Sequence, residues 1–139
     1  MYLLRNRKGM TLIEIMIVLA IIGSIAALLL PNITGQLDKS KVKEARIQMT
    51  QLVNALSMYY TDCGKYPATL EGLAKSDADC SNWGPEPYFK KSLKDPFGAD
   101  FVYEIDGSEY SLKSLGKDKK PGGSGYDKDI SLEDLDSKN

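Results

Sequence analysis

The chain has 139 residues, 42% of them apolar and 27% charged, with 18 basic side chains against 19 acidic ones and a formal net charge of −1. That near balance argues against a nucleic-acid surface, which needs a clear basic excess. The chain has no histidine, so it lacks the usual general base and the commonest transition-metal ligand.

Arg5, Arg7 and Lys8 precede an apolar run that begins at Met10, reaches Leu30 and stops at Pro31; its only formal charge is Glu14. At about 1.5 Å per residue, roughly 21 helical residues make a rod of about 32 Å, long enough to cross a hydrocarbon core. Basic residues before the run, with no acid among them, predict a cytoplasmic N-terminus and a single-pass anchor. Setting those three aside leaves 15 basic groups against 19 acidic, a balance of −4. About 109 residues follow Leu30, enough for one small domain with one core.

Glu14 is the anomaly in the run. An ionised carboxylate costs on the order of 2.5–3.5 kcal/mol at mid-membrane and less near the interface. Glu14 therefore either lies shallow and reaches the headgroups, or finds a partner. The free terminal amine of a neighbouring subunit would serve in a staggered helix bundle, making Glu14 a register device. Gly23 and Ala27, with Ala20 and Ala26 nearby, suit close helix approach in lipid. Another reading takes Ser24-Ile25-Ala26 as a signal-peptidase site that releases a soluble protein. Against it, the run exceeds a signal core of roughly 7–15 residues and contains an acid.

Beyond Pro31 the apolar residues Val42, Ala45, Met49, Leu52, Val53, Leu56 and Tyr60 recur at three- and four-residue spacing, which places them on one helix face. Lys41, Lys43, Glu44, Arg46, Gln48 and Gln51 fall mostly on the other. Gly64 stands where a glycine closes a helix. The pattern predicts one helix of roughly 50 residues, kinked or locally melted at Pro31, which lacks a backbone donor. Gly23 and Gly35 weaken the same region.

Residues 64–98 read as loop with short helical pieces, because prolines and glycines interrupt every longer pattern. Trp83, Tyr88 and Phe89 are expected to pack over the amphipathic helix, with carbohydrate stacking as the alternative. Cys63 and Cys80 are too few and too far apart for a zinc site. In an exported domain they are expected to form a disulfide, free buried thiols being the alternative. Residues 101–105 and 110–115, separated by Asp106-Gly107, predict a hairpin. Phe101, Tyr103 and Ile105 share one face of it, as do Tyr110, Leu112 and Ser114. The fold class is α+β: a long N-terminal helix, transmembrane in its first half and amphipathic in its second, packed on a small antiparallel sheet.

The last informative stretch runs from Gly116 to Ile130, with Asp118, Asp127 and Asp129 set among glycines. Composition alone gives a solvated loop. Calcium could order it, since that ion takes six to eight oxygens from carboxylates and backbone carbonyls on a sharply bending chain. The acid spacing is not that of an EF-hand.

The string Gly9-Met10-Thr11-Leu12-Ile13-Glu14 resembles the class III leader of type IV pilins and type II secretion pseudopilins. The resemblance implies that a prepilin peptidase cuts between Gly9 and Met10 and N-methylates Met10, leaving Glu14 four residues on. Met10 stands where the family usually has Phe. Further along, Gly64-Lys-Tyr-Pro67, Glu71-Gly-Leu73, Lys94-Asp-Pro-Phe-Gly98, Tyr110-Ser-Leu112, Leu115-Gly-x-Asp118, Pro121-Gly-Gly123 and Asp127-x-Asp129-Ile130 resemble the major pseudopilin, the G subunit, of type II secretion systems. With the leader and helix, these strings cover nearly the whole chain in the family's order.

The resemblance implies a calcium site in which Asp118, Asp127 and Asp129 supply carboxylates and Leu115 and Ser124 supply carbonyls. It leaves open which of Asp127 and Asp129 binds directly. Lys117, Lys119, Lys120 and Lys128 interleave with these acids, which weakens the attraction for a cation. Glu71 and Phe97 replace the usual Gln and Trp, and the cysteine pair is not a general mark of the subunit. The implied organisation is a leader over residues 1–9, a membrane half-helix over 10–30, an amphipathic half over 31–61 and a periplasmic domain over 62–139.

The implied role is structural, not enzymatic. The subunit waits in the inner membrane, then joins a helical homopolymer that drives export of folded proteins across the outer membrane. Minor pseudopilins and an inner-membrane assembly platform would be its partners, and no nucleic acid. The alternative is a major or minor pilin of a type IV pilus.

Overall fold

One helix, α1 (Leu12–Cys63), 52 residues long, dominates the N-terminal part of the chain. The structure is a computed structural model and describes residues 9–137. Arg5, Arg7 and Lys8, and with them nearly all of the expected leader, lie outside the described residues. Two units are distinguished, Met1–Leu37 and Asp38–Asn139.

The expected melting at Pro31 does not occur, and α1 is helical through that position. A proline removes one N–H, hence one i→i−4 bond, and the many turns on either side keep theirs. At the other end, Gly64 adopts φ 72° and donates its N–H to the Tyr60 carbonyl at 2.8 Å. That left-handed residue closes the helix as the sequence predicts.

In the first unit every side chain from Met10 to Leu30 is exposed. In the second unit α1 contributes Ala45, Met49, Leu52, Ala55, Leu56 and Tyr59 to the core. The expected face is therefore slightly misplaced at its end. Tyr59 is fully buried, whereas Tyr60 is 42% exposed. The three-residue step from Leu56 continues the buried stripe to Tyr59, whose hydroxyl donates to Asp77 Oδ2 at 2.7 Å. Tyr60 lies beyond the stripe's edge and its ring meets that of Tyr66, with centroids 4.8 Å apart.

Residues after the helix cover this stripe. A 3-10 turn at Leu70–Leu73 buries both of its leucines. Cys63 and Cys80 form a disulfide that ties the end of α1 to this segment. Phe89 is buried, Trp83 donates its indole N–H to the Gly72 carbonyl at 2.7 Å, and the Tyr88 hydroxyl donates to Asp62 Oδ2 at 2.7 Å. These aromatics pack on the core, as expected. Gln48 donates to the carbonyls of Ser92 and Lys94, both at 2.7 Å, clamping the next loop to α1.

The hairpin forms from β1 (Val102–Asp106) and β2 (Glu109–Ser114), paired antiparallel with Tyr103 opposite Leu112 and Ile105 opposite Tyr110. Its two-residue connection is Gly107-Ser108, one position later than expected, with Gly107 at φ 62°. Two further elements have no counterpart in the sequence reading. The strand β3 (Ile130–Ser131) pairs antiparallel with β2, giving the order β1-β2-β3. The short helix α2 (Leu132–Asp136) follows, its start fixed by Asp134, which accepts from the Ser131 N–H at 2.9 Å. The observed class is α+β, a long helix with a small antiparallel sheet.

Candidate functional site

Two regions carry the candidate residues. At the N-terminus, Gly9 and Met10 are exposed and precede the helix. Thr11 and Glu14 then cap each other. Glu14 Oε2 accepts from the Thr11 N–H at 3.3 Å, and Thr11 Oγ1 accepts from the Glu14 N–H at 3.4 Å. This reciprocal pair is a capping box, a role the sequence reading of Glu14 did not include, although Thr-x-x-Glu is its usual signature. It satisfies donors that every helix start leaves without intrahelical partners. The carboxylate is thus already useful to its own chain, and its other oxygen can accept from a second amine.

Further along the apolar half, a Cβ added at Gly23 would meet nothing within 4 Å, so this face is open to close approach by another helix. Ser24 donates its hydroxyl to the Ile21 carbonyl at 2.8 Å, so its polar group needs no water. The helix is long and apolar enough to cross a membrane.

The second region is the glycine-rich loop between β2 and β3. Its two ends touch at a tight neck. Gly116 is buried at φ 75°, and a Cβ there would come within 2.8 Å of the Lys128 carbonyl oxygen. Gly123, at φ 92°, brings the backbone against the Asp127 carbonyl, which a Cβ would approach to 2.5 Å. The Lys117 N–H donates to the Tyr126 carbonyl at 2.9 Å, and a 3-10 turn at Gly125–Asp127 bends the return. Only glycine fits such close approaches at positive φ.

Within the loop, Leu115, Asp127 and Asp129 are half-buried, while Asp118 and Ser124 are exposed. Asp118 Oδ1 accepts from the Lys120 N–H at 3.0 Å. Asp129 Oδ1 is buried with no hydrogen-bond partner. A buried carboxylate oxygen without a donor is costly and calls for a counter-charge. Among the described residues no three His, Cys, Asp or Glu side chains converge as a metal site. A cation here would have to draw on carbonyls as well, which suits calcium better than a softer metal.

Two of the four interleaved lysines are directed elsewhere. Lys117 Nζ pairs with Asp38 Oδ2 on α1 at 2.7 Å, and Lys128 Nζ pairs with Asp134 Oδ1 at 3.4 Å. The hydrogen bond to Asp38 raises the Lys117 pKa, while the Ser131 N–H in the first instance lowers that of Asp134. The short ion pairs of these two lysines thus go to Asp38 and Asp134, although the Asp127 charge also acts on Lys117.

Comparison with known proteins spans both regions. The prokaryotic N-terminal methylation motif matches residues 4–30, and the family described as type II secretion system (T2SS), protein G, matches residues 32–133. The type II secretion system core protein G of Pseudomonas aeruginosa is 38% identical over 134 residues, 91% of this chain and 94% of the relative. That of Xanthomonas campestris pv. campestris is 38% identical over 128 residues, 90% and 89% of the two chains. The crystal structure of the major pseudopilin from the type 2 secretion system of enterohaemorrhagic Escherichia coli superposes with a TM-score of 0.58 at 26% identity, covering 73% of this chain and 94% of that one.

Proposed function

The chain belongs to the protein G family of type II secretion systems, and from that premise we propose how its residues make it a pseudopilus subunit. It is a structural subunit, not an enzyme. The observation that carries the reading is the pairing of an exposed apolar half-helix with an acid in its first turn. Such a helix needs a covering, which lipid supplies in the monomer and neighbouring helices supply in a filament.

In this reading a prepilin peptidase cuts between Gly9 and Met10, and Met10 becomes the methylated terminus. Glu14 of one subunit accepts from the Met10 amine of the next, setting the stagger. Gly23 and Ala27 let the helices close up. The second unit stays on the periplasmic side, and minor pseudopilins and an inner-membrane assembly platform act with it.

The loop of residues 115–129 would hold calcium through the carboxylates of Asp118, Asp127 and Asp129, which the ion would draw together, with the carbonyls of Leu115 and Ser124. The unpartnered Asp129 oxygen supports that assignment, and the ion's role is to fix the neck from which β3 and α2 depart. Calcium there supplies only charge and oxygen coordination, with no chemistry.

The test is assembly in cells that express the secretion machinery. Glu14→Ala is expected to enter the membrane as the parent does yet form no cross-linkable pseudopili. Normal pseudopili from that variant would remove the docking role, and a mature N-terminus other than methylated Met10 would remove the processing step.

A further inference from the structure

The second unit gathers positive charge on one corner, although the chain after its basic leader carries an acidic balance of −4. Lys117 is held at Asp38 by the 2.7 Å ion pair. Lys41 places its Nζ 5.9 Å from the centroid of the Phe97 ring. Lys119 lies beside the next residue, its Nζ 3.7 Å from where a Cβ would stand on Gly98. Three lysines from the helix and the glycine-rich loop thus meet around one short corner. Lys39 and Lys43 add exposed charge on the same turns of α1.

The acids on these segments do not cancel it. Asp38 and Lys117 neutralise one another, and Glu44, Asp118 and Asp127, the last of which also acts on Lys117, remain against Lys39, Lys41, Lys43 and Lys119, so the corner keeps a small positive excess. The position along the chain decides what meets this charge. Ile33 and Leu37 are 59% and 52% exposed, so apolar side chains continue to the residue before Asp38. About eight helical residues separate Leu30 from Asp38, roughly 12 Å of rise. That reach is comparable with the electrostatic screening length of about 8–10 Å.

We propose that Lys41 and Lys119, flanked by Lys39 and Lys43, form a basic contact for the anionic headgroups of the bilayer that holds the chain's own helix. The contact orients the domain while the subunit waits in the membrane. It rests on the pseudopilin reading and adds a surface to it. A second copy of the chain is the competing occupant, since the hairpin carries exposed Glu104, Asp106 and Glu109. Lipid is favoured because the corner directly follows the apolar run, so the charged surface is supplied by the anchor itself.

The experiment uses the full chain in nanodiscs of phosphatidylcholine alone or of phosphatidylcholine with phosphatidylglycerol, at constant calcium. Lysine acylation is followed residue by residue by mass spectrometry. Lys41 and Lys119 are expected to react about fivefold more slowly in the anionic discs, the attraction of one lysine to such a surface. Lys65 and Lys75 should react equally in both, and high salt should abolish the difference. Equal rates for Lys41 and Lys119 in the two lipids overturn the proposal and leave the subunit reading intact. Protection that ignores lipid charge but grows with the protein-to-lipid ratio assigns the corner to a second copy, which also overturns it. A chain that enters neither disc removes the anchor and the proposal together.

Discussion

Asp95 Oδ2 accepts the hydroxyl hydrogen bond of Ser114 at 2.8 Å, with both residues buried. The other carboxylate oxygen accepts from the Phe97 and Ala99 N–H groups at 3.1 and 2.8 Å. Ser114 Oγ in turn accepts from the Gly116 N–H at 3.4 Å. One carboxylate therefore joins the corner at Phe97 to the end of β2 and the neck of the glycine-rich loop. Asp95→Ala leaves several buried donors unmatched and should cost about 3 kcal/mol of stability, measured by urea unfolding. A loss below about 1 kcal/mol would mean that water replaces the carboxylate.

The disulfide gives a second prediction. Cys63 and Cys80 are 17 residues apart, and opening a loop of that size should cost roughly 3 kcal/mol through the freer unfolded chain. The double serine variant should fold with a urea midpoint lowered accordingly. An unchanged midpoint would show that the α1 end and the segment beyond it are held by packing alone.

Calcium should stabilise the parent chain by an amount that grows with its concentration, about 2.7 kcal/mol at a hundredfold excess over Kd. Asp129→Asn keeps the shape of the side chain and removes its charge. The variant should lose most of the calcium-dependent rise in Tm while keeping the Tm of the chelated parent. A chelator that leaves the parent's Tm unmoved would dispose of the site.

Stability should fall at both ends of the pH scale. The Tyr59 hydroxyl holds the Asp77 pKa below its usual range, and the Ser131 N–H does the same for Asp134. Depressed carboxyls contribute stability that is present above about pH 4 and lost as pH falls through their folded values. Burial raises Tyr59, and it lifts Tyr103 from 10.0 to about 12. Raised phenols contribute stability present below their unfolded value and lost as pH rises through the folded one, here between 10.0 and about 12 for Tyr103. Urea midpoints should be flat between those limbs. Tyrosinate absorbance should show part of the eight tyrosines ionising only as the fold is lost.

The elements legible in the sequence are those with a long period or a strong punctuation mark. The stripe from Val42 to Leu56, the closing Gly64 and the alternation through Tyr103 and Tyr110 each repeat one signal several times. Strand β3 has two residues and α2 has five, too few for any period to emerge. Asp95 was invisible for another reason: hydropathy assigns an aspartate to the surface, and its burial depends on the Ser114 hydroxyl arriving from the end of β2 to join the local Phe97 and Ala99 N–H groups. The loop's aspartates were legible as candidates. That Lys117 and Lys128 turn to Asp38 and Asp134 was not, because those partners are set by tertiary approach.

The mutual cap of Thr11 and Glu14 bears on how a subunit can be stored before use. An acid that already serves its own first turn does not lie idle in the bilayer, so an isolated protomer needs no chaperone-like escort for that charge. Because the cap uses Oε2, an amine arriving at the other oxygen would add a charge-assisted bond without undoing the cap. On the docking reading, each added subunit would gain that bond with the start of its helix already formed.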